Sequence, residues 1–371
     1  MRTLVVSLPG SLLYPLFWLA RRRKWREPQA MVIVKPCCFG DVILTTPLLR
    51  ALRQAYPSAR IDWAVGEWSR PAIRHNPDLN GLLDASGVGE GRTDFVRVLA
   101  LVRQLAAGRY DTAFVPDRSP ALAAVAWLAG IRQRVGLNSR GRGFCHTRPV
   151  GVRELKSEAE IYLDCARAAG IPVQGAAAQF VPGPEGQKRA AVRLKQLGLE
   201  ARRLAIVNPG GGQNPGMTME SKRWPPECFA RLARRLVQRG ALEVIVIGGP
   251  ADAGLTAAVK GLVDLPVTDW GGAEWDEIGA LAERARLYVG NDTGATHLAA
   301  AVGCKTVMVM GPSDPRRYAP FAPPGQAEAV WKPWAIPEAG VRWRAAGFDW
   351  LRDGAGVEDV WEACRRLMKS S

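Results

Sequence analysis

Three loops in this sequence combine residue types that can handle a phosphate and a proton. Asn291-Asp292-Thr293-Gly294-Ala295-Thr296-His297 follows a short apolar run, Leu287–Val289, and opens a helical pattern. The first backbone N–H groups of a helix have no partner within it, and the helix dipole favours an anion beside them. Asp292 or Thr293 also suits a plain N-cap. His297 falls one turn into the helix, on a face that can either pack or reach a ligand. Asn208-Pro209-Gly210-Gly211-Gly212 is a second glycine-rich strand exit. It is neither a dinucleotide fingerprint, because Pro215 stands three places after Gly212, nor a P-loop, because no Gly-Lys-Ser/Thr follows. Lys222-Arg223-Trp224-Pro225 comes next, and a cation there can clamp a phosphate that the glycines approach. As a charge run alone it is a solvated turn. Gly40-Asp41 sits where a strand turns into a helix. Its carboxylate fits a helix-dipole partner or a general base. There is no Asp-x-Asp anywhere, which weighs against a sugar-nucleotide site built around a divalent metal.

These loops need strands and helices to hold them, and the chain alternates the two. Met31–Lys35, Ile61–Val65, Thr112–Val115 and Arg134–Gly136 read as strands. Between them lie helical patterns with Leu44, Leu48, Leu49 and Leu52 on one stripe, then an Ala-rich run from Ala121 to Ala129. A helix from Glu158 to Ala169 closes this half. Val181-Pro182-Gly183-Pro184-Glu185-Gly186 is the best linker. The alternation then restarts with strands at Leu204–Val207, Glu243–Ile247, Leu287–Val289 and Lys305–Met310. The expectation is an α/β protein of two doubly wound domains facing each other across a cleft, spanning 30–183 and 184–371. Every glycine-rich loop named above then lies at a strand's carboxyl end, where such sheets bind ligands.

The chain's 371 residues suit two domains with a sizeable core in each. A hydrophobic fraction of 47% with 23% charged residues excludes a disordered or fibrous protein. Fifty Lys and Arg against 35 Asp and Glu give +15, which favours an anionic partner. Seven cysteines with no CxxC argue against a disulfide framework or a structural zinc, and for a reducing compartment. The adjacent pair Cys37-Cys38 is a poor geometry for a disulfide with each other. Three scattered histidines leave no His-rich metal centre, and Cys145-His146 is a weak candidate ligand pair.

Residues 1–29 form a separate leader. Leu4–Ala20 is mostly apolar and is followed at once by Arg21-Arg22-Arg23-Lys24-Trp25-Arg26. The order is wrong for a cleaved signal peptide. The run is short for a bilayer span and is interrupted by Pro9, Gly10 and Pro15. The reading is therefore a membrane-surface anchor or marginal span, with Tyr14, Trp18 and Trp25 at the interface and the basic cluster on the cytoplasmic face. A disordered leader is the bland alternative.

Taken together, Lys35–Leu52 (KPCCFGDVILTTPLLRAL), Asn208–Trp224, Gly248-Gly249-Pro250 and Asn291–Ala301 (NDTGATHLAAA) resemble the ADP-heptose:lipopolysaccharide heptosyltransferases, glycosyltransferase family 9. The resemblance runs over almost all of 31–330 and implies the GT-B fold of two facing Rossmann-like domains. It implies a metal-independent, inverting transfer of a sugar from a nucleotide donor, with no cofactor. Carried over, Asp41 matches the catalytic base and Lys222 the cation at the donor diphosphate. Asp292, Thr293, Gly294 and His297 match the loop and helix that hold it, with Gly210 and Gly211 approaching by backbone and Asp252 at the ribose. Cys37-Cys38-Phe39 replaces small polar residues of the family pattern, and the Trp-rich stretch Trp331–Trp350 matches less well. In the acceptor-side first domain, Arg118, Arg140, Arg142 and Arg148 suggest an anionic glycolipid or saccharide, or else a solvated basic face. The expected partners are a nucleotide sugar, that acceptor and the inner face of the cytoplasmic membrane. Two other readings are a GT-B-like sugar-nucleotide epimerase or hydrolase, and a basic nucleic-acid-binding protein. Against the latter stands the absence of helix-turn-helix and RNP-like patterns.

Overall fold

The structure is a computed structural model that describes residues 24–89, 94–214, 217–334 and 347–369. Leu4–Ala20 and Arg21–Arg23 of the leader lie outside the described residues. The chain divides into two compact units, Met1–Ala176 and Ala177–Ser371. The division falls before the Pro/Gly linker at 181–186 because Phe180 already belongs to the second unit. Its ring sits against Gly279, and its N–H donates to the Ala301 carbonyl.

In the first unit the strands are β1 (Ala30–Val34), β2 (Arg60–Val65), β3 (Gly81–Asp84), β4 (Thr112–Val115), β5 (Gln133–Asn138) and β6 (Arg148–Gly151). They pair in the order β3-β2-β1-β4-β5-β6, all parallel. Helices α1 (Phe39–Ala55), α2 (Phe95–Ala107), α3 (Pro120–Leu128) and α4 (Glu158–Ala168) complete the crossovers. The two central strands carry apolar, fully buried runs, Met31–Val34 in β1 and Ala113–Val115 in β4, as a sheet covered on both faces requires. Helix α1 contains Pro47, which has no N–H to give the Ile43 carbonyl. The Thr46 hydroxyl donates to that carbonyl instead, at 2.7 Å, so the helix continues.

The second unit repeats the plan. Strands β7 (Leu204–Asn208), β10 (Glu243–Gly248), β11 (Thr268–Gly271), β12 (Leu287–Asn291), β13 (Thr306–Val309) and β14 (Ala327–Val330) pair as β11-β10-β7-β12-β13-β14, again all parallel. A two-residue hairpin, β8 (Gln213–Asn214) with β9 (Met217–Thr218), stands outside the sheet. The helices are α5 (Pro184–Gln196), α6 (Pro226–Gln238), α7 (Ala253–Leu262), α8 (Trp275–Arg284), α9 (Gly294–Ala301) and α10 (Val357–Lys369). One apolar core joins α6, α10 and the sheet, with Trp224, Phe229 and Trp361 within it. Both sheets thus share the doubly wound strand order, whose switch point lies between the first and fourth strands. For β1 and β4 that point holds the Asp41 loop, and for β7 and β12 it holds the two glycine-rich loops.

Among the described residues no helix is long and apolar enough to cross a membrane. Trp25, read from sequence as an interface residue, is instead bound to the first unit. Its ring meets Phe114 edge-on at 6.5 Å, carries the Arg148 guanidinium at 4.7 Å, and its Nε1 donates to the Tyr56 hydroxyl. Arg26 exchanges hydrogen bonds with the Gln133 side chain, and the N–H groups of Gln29 and Ala30 donate to Asp111. Trp25 to Ala30 are therefore held to the first unit.

Candidate active site

In the first unit, Asp41 lies in the opening turn of α1, whose N-cap is Cys38. Cys37 and Cys38 are joined as a vicinal disulfide, contrary to the sequence expectation. The peptide bond between them is cis and brings their Cα atoms to 3.1 Å. Around Asp41 stand two cations and two further carboxylates. Asp117 holds the Lys35 ammonium at 2.9 Å, and Glu158 takes the Arg118 guanidinium in a two-pronged grip at 2.9 and 3.1 Å. Asp41 is the odd carboxylate. Its nearest cation, Lys35, is 3.8 Å away, and the Tyr162 hydroxyl donates to it at 3.3 Å. Burial raises its carboxyl above the ordinary range; Lys35 opposes this, while Glu158 and Asp117 add to it. Nearly a third of the side chain, 31%, remains open. A raised, partly open carboxylate whose nearest counter-ion, Lys35, is held more closely by Asp117 is suited to receive a proton.

The arginines expected on the acceptor side separate. Arg118 follows β4 at the carboxyl edge, but Glu158 already occupies its guanidinium. Arg140 and Arg142 lie in the turn after β5 at the same edge, Arg140 exposed and Arg142 half-buried. Arg148 begins β6, so it lies at the opposite edge, where it donates to the Ala168 carbonyl and stacks on Trp25. That placement removes Arg148 from the candidate set. His146 is wholly buried beneath Gly136 and Gly143, as a packed core residue.

In the second unit three strand exits converge. The glycine loop after β7 is tied to the loop after β10 by Asp252. Its carboxylate accepts the N–H groups of Gly211 at 3.1 Å and Gly249 at 3.3 Å. A side chain at Gly210 would strike Asp252, and one at Gly211 would strike Thr293, so only glycine permits the three loops to meet. Gly211 also has φ +102°, outside the range open to other residues. Asn291, at the end of β12, donates to the Pro209 and Gly210 carbonyls and accepts the Trp224 N–H. Asp252, which the resemblance matches to a ribose contact, thus also cross-links these loops.

Helix α9 starts beside these loops. Its N-cap, Thr293, makes no capping bond with its side chain, and the hydroxyl is buried without a partner. His297 is likewise buried, with Nδ1 unpartnered. Burial holds the imidazole down at about 4, against the pull of Asp292, so it is neutral near pH 7. Lys222 does not stand free. Its ammonium is 2.6 Å from Asp292. Burial alone would raise the Asp292 carboxyl, but Lys222, then His297, hold it below the usual range. The cation expected at the diphosphate is thus half of an ion pair. Arg223, the second cation of that run, donates through Nε to the Gly211 carbonyl. An anion placed at α9 would meet open backbone N–H groups, a hydroxyl and an imidazole, with the Lys222–Asp292 pair behind them. Among the described residues, no three His, Cys, Asp or Glu side chains are grouped to hold a metal ion.

The Trp-rich stretch is described at its two ends. Trp331 donates to the Gly311 carbonyl, and the Trp350 ring packs on Gly311. Trp331 and Trp350 thus both pack at the loop that follows β13.

Two units that each carry the doubly wound parallel sheet have the α/β architecture of GT-B-type glycosyltransferases. The chain belongs to glycosyltransferase family 9 (heptosyltransferase), whose sequence profile matches residues 98–339. It is 29% identical over 315 residues to lipopolysaccharide heptosyltransferase 2 of Escherichia coli (strain K12), covering 79% of this chain and 85% of that one. The fold is similar to that of a crystal structure of a family 9 glycosyl transferase from Veillonella parvula (TM-score 0.75, 22% identity, 92% of this chain and 98% of that one). It is also similar to the structure of E. coli ADP-heptose lps heptosyltransferase II (TM-score 0.68, 23% identity, 91% and 98%).

Proposed function

We propose that this glycosyltransferase transfers a heptose from ADP-heptose to a membrane-associated lipopolysaccharide-type acceptor, with inversion and without a divalent metal. The observation that carries the donor side is the pair of buried, unpartnered polar atoms, Thr293 Oγ1 and His297 Nδ1, at the opening of α9. Buried polar groups are normally satisfied, and a diphosphate oxygen is the kind of acceptor that satisfies a hydroxyl and an imidazole N–H. The one carboxylate beside them, Asp292, is consumed by Lys222, so the cradle suits an anion rather than a cation. The relatives' heptose and lipopolysaccharide specificities support the choice of sugar and acceptor.

In this reading Asp41 takes the proton from the acceptor hydroxyl as its oxygen attacks the anomeric carbon. The bond from that carbon to the diphosphate breaks, and ADP leaves. The helix start, Thr293 and His297 stabilise the charge that develops on the leaving oxygen. Attack opposite the leaving group inverts the anomeric centre. The acceptor is met at the cytoplasmic face of the membrane, with the basic and apolar leader as the attachment. Arg140 and Arg142 offer positive charge to its phosphates. The test is incubation with ADP-heptose and lipopolysaccharide truncated before its heptoses, read by mass spectrometry and ADP release. ADP release of equal rate without acceptor would favour a hydrolase and overturn the transferase reading.

A further inference from the structure

We infer that Lys35 is a positioning residue for Asp41, its ammonium shared between Asp41 and Asp117 as the counter-charge that lets both carboxylates stay ionised. The inference rests on Asp41 being the base proposed above. Lys35 follows β1 directly, and its side chain is 5% exposed. Its backbone is pinned on both sides: the N–H donates to the Ala64 carbonyl, and the carbonyl accepts the Trp63 indole N–H. The Tyr162 ring lies under the ammonium at 5.1 Å. A lysine so held cannot swing to water.

The charges that face Asp41 come from three elements. Lys35 is on the β1 exit, Asp117 and Arg118 on the β4 exit, and Glu158 and Tyr162 on α4. Among the described residues, three carboxylates meet two cations here. Glu158 has taken Arg118 for itself, which leaves Lys35 alone to serve the other two, at 2.9 Å from Asp117 and 3.8 Å from Asp41. The group therefore carries one negative charge too many, and Asp41 is its least compensated member. A proton arriving on Asp41 balances the group without disturbing the Lys35–Asp117 pair. Lys35 thus sets a compromise: enough attraction to keep Asp41 ionised before transfer, but too little to stop it from accepting a proton. Burial and neighbouring carboxylates push Asp41 up, and Lys35 is the largest group pulling it down.

The experiment is a pH titration of the Asp41 carboxyl by 13C NMR in the full chain labelled at aspartate, with the resonance assigned by its loss in Asp41→Asn. In Lys35→Met the midpoint is expected to rise by about one to three pH units, the effect of an opposite charge at this range, and Lys35→Arg to restore most of it. The acid limb of kcat/KM for heptosyl transfer should move with it. Asp117→Asn is expected to move the midpoint the other way, downward, because it removes both a like charge and a competitor for Lys35; Lys35→Gln, which keeps a polar chain at the position, decides the matter if Lys35→Met does not fold. A midpoint unmoved by Asp117→Asn, or unmoved in a folded Lys35→Met or Lys35→Gln, overturns the inference. The titration needs no sugar, so it is read whether or not the proposed transfer is observed.

Discussion

Lys222 and Asp292 form an ion pair of 2.6 Å with side chains only 9% and 4% exposed. A buried pair is costly to break on one side, because the remaining charge has no solvent to turn to. Lys222→Ala is therefore expected to lose about 3–5 kcal/mol of stability as well as ADP affinity. Lys222→Met with Asp292→Asn should recover much of the stability and little of the affinity. Urea unfolding alongside calorimetric titration with ADP separates the two effects. Affinity and stability both at parental levels in Lys222→Ala would place the pair outside the donor site.

Asp41→Asn keeps the size of the side chain and removes its ability to take a proton. The transfer rate should fall by about 10²–10⁴-fold, the usual contribution of a positioned base. ADP affinity should be unchanged, since the proposed diphosphate site belongs to the second unit. Turnover close to the parent's would leave Asp41 as a helix-start residue only.

His297 makes the fold sensitive to mild acid. In the folded chain its imidazole stays neutral down to about 4, whereas in the unfolded chain it takes a proton near 6.5. Between those values the unfolded state binds more protons, so stability falls as pH drops through that window, by on the order of 3 kcal/mol. Asp292, held low in the fold, adds a further loss only below the ordinary aspartate range. The urea midpoint of the parent should drop between pH 7 and pH 5, and His297→Asn should flatten that drop. Equal slopes for both proteins would mean that another group senses the acid.

The leader and the body part company near Trp25. Removing residues 1–23 should leave the melting temperature and ADP binding unchanged but lose co-sedimentation with anionic vesicles at low salt. Trp25→Ala, which empties the space between Phe114 and Arg148, should cost about 1–3 kcal/mol, less than a fully buried aromatic. Full-length protein that stays in the supernatant with anionic vesicles would remove the attachment role from the leader.

The inner strands of each sheet were readable because they are buried on both faces. MVIV, TAFV, LAIV and VIVI are unbroken apolar runs that no solvent-facing element would carry. The edge strands β3, β6, β11 and β14 escaped notice for the complementary reason. GLLD, RPVG, TDWG and AEAV mix polar, Gly or Pro residues into short, half-exposed segments. The site divided along similar lines. Gly210, Gly211, Thr293 and His297 sit in contiguous motifs whose backbone role is written locally. Asp117, Glu158 and Tyr162 reach Asp41 only through β4 and α4, so nothing near Asp41 in the chain announces them. The same holds for Lys222, whose exposed-looking KRWP context gives no sign of the Asp292 partner. Asp117 had one usable signal: it follows the fourth strand, at the switch point.

Asn291 joins the glycine loop to the Trp224 backbone, and the Trp224 indole donates in turn to the Ala355 carbonyl, just ahead of α10. Opening of the glycine loop is therefore expected to loosen the start of the C-terminal helix as well. Amide protons along Val357–Lys369 report on that opening, although the helix supplies no group to the cradle. A nucleotide bound at the proposed donor site should slow their exchange with solvent, so its occupancy could be followed at the far end of the chain without touching the loops themselves.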